Sequence, residues 1–126
     1  MSGLNQEAPL QAPAGADLSA KQYFFVVLDS AGELVLAGAD EANPMVLQDA
    51  PTAGKTGTAE TPRGQRLTVI AGEAILPGES ISIDAVGKAH DADATGNAII
   101  GWCWSGGALD EEIQIVFTGG GGVLVL

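Results

Sequence analysis

The chain has 126 residues, enough for one domain with a modest core, and its 5% aromatic content and 18 glycines suit short strands and turns better than helices. Sixteen acidic residues against 5 basic ones give a formal charge of −11. Such a surface repels phosphate backbones and anionic lipid, and Lys21, Lys55, Arg63, Arg66 and Lys88 are too scattered to form a basic patch. Nucleic acid and membrane are therefore excluded as expected partners.

Residues 1–16 hold prolines, glycines and few large apolar side chains, so they read as an extended N-terminal arm with Leu4 and Leu10 as its anchors. Removing that arm is expected to leave the rest folded. Met1 to Pro13 carry no positive charge and no apolar segment, so a secretory leader is not expected and synthesis in a cytoplasm is. No apolar run approaches the roughly 20 residues of a spanning helix.

Tyr23–Leu28 predicts a strand buried on both faces, and Asp29-Ser30-Ala31-Gly32 a turn into a second strand over Glu33–Ala37, hence a hairpin. Further strands are expected over Pro44–Gln48, Gly57–Thr61 and Arg66–Ile70. Ser80–Asp84 alternates with Ile81 and Ile83 on one face, which marks a half-buried strand. Ala98–Trp104 and Glu112–Phe117 complete the set, and the nearest helical candidate is Ala89–Ala94. Seven or more short strands with closely spaced turns predict a small barrel or sandwich. Residues 17–118 form this β-rich domain, and 119–126 a glycine-hinged tail. Its apolar end, Val123, Leu124, Val125 and Leu126, needs a surface to cover.

The motifs that could carry catalysis are incomplete. Gly54-Lys55-Thr56 resembles the end of a phosphate loop, but Asp49 stands where its first glycine belongs and no helical pattern follows. Asp91–Gly96 mimics the start of a calcium loop, with Trp102 where its closing glutamate belongs. His90 has acidic neighbours in Asp91 and Asp93 but no nucleophile beside it, and Ser105-Gly106-Gly107 lacks the first glycine of a nucleophile elbow. Paired carboxylates for glycoside hydrolysis would have to come from chance proximity among the acids. The lone Cys103 makes no internal disulfide and is expected buried, on the opposite face from Trp102 and Trp104. That tryptophan pair is expected in the core or a subunit interface, with a sugar-stacking platform as the rival reading. No catalytic residue, cofactor or metal is expected, and no enzyme activity.

Five segments in order resemble the capsid decoration, or cement, proteins of tailed phages. They are Asp17–Tyr23, Met45–Gly54, Gly72–Ile75 with Pro77–Ile81, Asp84–Ala89, and Ile100-Gly101, within the stretch Ala16–Phe117. The Trp102-Cys103-Trp104 triplet and the glycine-rich tail depart from that pattern. The resemblance implies an all-β fold, a small barrel- or tulip-like domain with an extended N-terminal arm. It also implies a trimeric virion protein on the capsid exterior, whose partners are the major capsid protein and itself. Its role would be to bridge shell subunits against the pressure of packaged DNA. Capsid or subunit contacts are expected at Leu4, Leu10, Leu18, Val123, Leu124, Val125 and Leu126. The alternative function is a virion-displayed carbohydrate-binding module using Trp102 and Trp104.

Overall fold

The structure, a computed structural model, describes residues 9–41, 43–119 and 125. Ten strands account for its regular structure: β1 (Leu10–Pro13), β2 (Phe25–Leu28), β3 (Leu34–Leu36), β4 (Met45–Leu47), β5 (Thr56–Glu60), β6 (Gln65–Ile70), β7 (Ser80–Ile83), β8 (Ala89–Asp91), β9 (Gly101–Ser105) and β10 (Glu112–Phe117). No helix occurs among the described residues, and Ala89–Asp91, inside the helical candidate, is a strand paired with β7. The β-branched and aromatic runs fall in strands because their side chains fit a pleated, half-buried surface.

The strands form two antiparallel five-stranded sheets, ordered β1-β5-β4-β2-β3 and β6-β10-β9-β7-β8. Each sheet curls until its outer strands touch at a single parallel bridge, Ala14 with Leu34 and Ala71 with Ala89. Each stops short of the closed barrel.

The two sheets are one fold repeated. Half A comprises β1–β5 and half B β6–β10, and the strand order is the same in both. Leu10 pairs with Ala59 as Leu67 pairs with Ile115, and Val46 pairs with Glu60 as Trp102 pairs with Val116. The turns repeat as well. Asp29 Oδ1 accepts from the amides of Ala31 and Glu33, and Asp84 Oδ1 accepts from those of Val86 and Lys88. The amide of Gly15 donates to Leu34 O at 2.8 Å, and that of Gly72 to Ala89 O at 2.7 Å. Gly54 and Asp110 hold the same left-handed turn position, at φ 80° and 68°.

Interior positions correspond too. Ala14, Leu18, Val26, Leu47 and Ala59 fill half A, and Ala71, Ile75, Ile81, Cys103 and Ile115 fill half B. Phe25, Ala37 and Val46 of half A face away from their own cluster and join that of half B. The Phe25 and Phe117 rings lie 6.0 Å apart. β7 is more enclosed than alternation predicts. Ser82 is buried along with Ile81 and Ile83, because β7 lies between β8 and β9 and the Ser82 hydroxyl meets His90 Nδ1 at 3.4 Å.

Candidate interaction surface

The residues singled out in the sequence fall in different places. Leu4, Val123, Leu124 and Leu126 lie outside the described residues. Leu10 is half-buried in β1 and packs against the half A cluster. Leu18 is 2% exposed inside that cluster, so it serves this chain's own core rather than a partner. Val125 is held by backbone bonds, its amide donating to Asn97 O and its carbonyl accepting from Gly96. The described part of the expected arm is likewise integrated. β1 pairs along β5, and Ala14 is buried at 2% exposure.

Gly54-Lys55-Thr56 runs from a turn into strand β5, where a phosphate loop needs a helix N-terminus. Asp91 ends β8, and a short loop carries the chain to β9. The acidic neighbourhood is real: Glu73 accepts the Asp91 amide at 2.8 Å and lies 3.4 Å from His90 Nε2. Burial, then a shared hydrogen bond and charge repulsion from Glu79, push the Asp91 carboxyl up to about 6. Among the described residues, no three His, Cys, Asp or Glu side chains gather to hold a metal ion. Cys103 is buried in the core, and burial with the nearby charge of Glu79 raises its thiol pKa, the reverse of what a nucleophile needs.

Alternation in β9 places Cys103 inward and both tryptophans outward, and the pair is surface rather than core: Trp102 is 40% and Trp104 50% exposed. Their ring centroids are 5.7 Å apart at an interplanar angle of 42°, and the Arg66 guanidinium lies 5.1 Å over the Trp104 ring. The second apolar feature is a groove of about 780 Å³ beside Leu28, which is 43% exposed. Only the exposed tryptophan pair had a signal in the sequence. The groove had none, because its walls come from segments far apart in the chain.

No protein-family model and no curated protein sequence matches this chain. Among solved structures, its fold is similar to that described as the crystal structure of head fiber gp8.5 N base in bacteriophage phi29. The TM-score is 0.70 at 16% identity, covering 88% of this chain and 93% of that one. At that identity the likeness establishes the fold: an all-β architecture shared along nearly the whole of both chains.

Proposed function

We propose that this chain is a structural component of a tailed-phage head, and that it docks on the outer surface of the assembled capsid and reinforces it. The observation that carries this reading is the likeness of fold to the base of a phage head fibre, across 88% of the chain. The segments that resemble cement proteins support it from the sequence side. A formal charge of −11 supports a position outside the shell, away from packed DNA.

Reinforcement follows from linkage. A protein that binds only the intact arrangement of shell subunits stabilises that arrangement by mass action. If several copies dock as a unit, as in a homotrimer, each contact with the major capsid protein can be modest because binding is multivalent. No catalytic step enters this role. The test is to add the purified chain to capsids that lack it and image them by electron microscopy before and after heating. The expected result is added density on the exterior, at three-fold positions, with a higher rupture temperature. Undecorated capsids would overturn the reading.

The exposure of Trp102 and Trp104 favours a second reading, a carbohydrate-binding face. Against it, the two rings are mutually tilted and Arg66 covers one face of Trp104, which leaves no flat platform for a sugar. Tryptophan fluorescence titrated with host-surface polysaccharide separates the two readings, and the capsid role expects no change.

A further inference from the structure

The docking of half A on half B is one-sided. Half A contributes Phe25 and Val46, and half B receives them with Phe117, Ile83 and the turn at Gly87. The Phe25 amide donates to Gly87 O at 2.8 Å and the Asp40 amide to Ile83 O at 3.3 Å. A two-fold arrangement would repeat these bonds from half B to the equivalent Gly32 turn of half A. It does not: nothing lies within 4 Å of a Cβ built on Gly32, whereas one on Gly87 would meet Phe25 O at 3.0 Å. The halves are stacked head to tail, so each contact surface has a counterpart on the other half that this contact leaves unmatched.

Both counterparts keep apolar residues, although Ser80 stands in the position of Phe25 and Thr61 in that of Phe117. On half A, Leu28, Pro44 and Thr61 occupy the positions of Ile83, Ile100 and Phe117, and they line the groove of about 780 Å³ with Met45 and, from the segment that follows β10, Thr118 and Gly119. Leu28 is 43% exposed where Ile83 is 2%. On half B, Trp102 occupies the position of Val46, and is 40% exposed where Val46 is 0%. At the edges, Arg66 stands by the tryptophans and Glu41 by the groove, opposite in charge.

We propose that Trp102 of one chain enters the Leu28 groove of a second copy, repeating between chains the contact that half A makes with half B within one. This concerns how copies meet and stands independently of capsid binding. The internal contact supplies the template, since the same fold already seats an apolar residue from this strand position in this site. Two chains of charge −11 repel at long range, so salt is expected to strengthen the association.

The test is sedimentation of the full chain as wild type, Trp102→Ser and Leu28→Glu, with circular dichroism to confirm that each is folded. Wild type is expected above monomer mass, with tryptophan emission shifting to the blue as concentration rises, and each variant is expected to be a monomer. An equimolar mixture of the two variants is expected to form a pair and nothing larger, because only one intact tryptophan and one intact groove can meet. A monomeric wild type, a variant of unchanged mass, or a mixture that stays monomeric would overturn the proposal. So would a monomeric wild type in which Leu28→Glu lowers only the melting temperature, since a segment of the same chain would then cover the groove.

Discussion

Asp84 organises the β7–β8 turn by accepting two amides at 2.9 Å, as Asp29 does in half A. Asp84→Ala leaves those donors to water and is expected to cost about 1–2 kcal/mol by urea denaturation. Gly101 is stricter. A Cβ there would collide with the carbonyl oxygen of Val116 on the adjacent strand, so the substitution must push β9 away from β10. Gly101→Ala is expected to cost about 2–3 kcal/mol or more, with lost amide protection across β9 and β10 as the check. Asp91 provides a pH signature. Its carboxyl titrates near 6 when folded, so the folded chain keeps a proton that the unfolded chain gives up. Stability conferred by that proton is present in acid and falls as pH rises from about 4 through about 6. Asp91→Asn is therefore expected to flatten the dependence of melting temperature on pH over that window and to raise it at neutrality. A profile unchanged by the substitution would remove Asp91 from this role.

Among elements, the strands were the most legible in the sequence. The Tyr23–Leu28 and Glu33–Ala37 runs with their Asp-Ser-Ala-Gly turn form the β2–β3 hairpin, and the Ala98–Trp104 run contains β9. β1 was not legible. Leu-Gln-Ala-Pro has little strand propensity, and it forms a strand because β5 offers a free edge and Ala14 reaches the core. The proline is tolerated because β1 pairs with β5 alone in the sheet order. This changes what a truncation should do. Removal of residues 1–8 keeps every β1–β5 pair and is expected to leave the melting temperature within a few degrees. Removal of residues 1–16 strips β1 and Ala14 and is expected to unfold half A, seen as loss of β-sheet dichroism.

For the molecule as a whole, the relevant fact is that half B's core is completed by half A. Phe25, Ala37 and Val46 belong to the cluster that holds Ile113, Ile115 and Phe117. Neither half is then expected to melt alone, and calorimetry should record one two-state transition. Phe25→Ala removes the ring that meets Phe117 and is expected to cost about 3–5 kcal/mol while the transition stays single. Two separate transitions would show that the halves fold independently. The repeat itself was invisible in the sequence. Paired positions share little beyond Leu10 and Leu67, Ala14-Gly15 and Ala71-Gly72, Asp29 and Gly32 with Asp84 and Gly87, and Ala37 and Ala92. A small β-sheet unit tolerates hydrophobic exchange in its core, as Leu47 for Cys103 and Ala59 for Ile115 show, provided the inward pattern is kept.

The sequence by itself determined the all-β class, most strand positions, the inward Cys103 and the acidity, because each depends on side-chain alternation, turn chemistry or composition within a few residues. Tertiary structure alone decided that the domain is two open sheets of one repeated fold, that Leu18 belongs to the core, that a groove forms beside Leu28, and that Trp102 stands exposed. The sheets, the half A core around Leu18 and the groove are made by residues distant in the chain, brought together only on folding. No local pattern records which surface a tertiary contact covers and which it leaves bare.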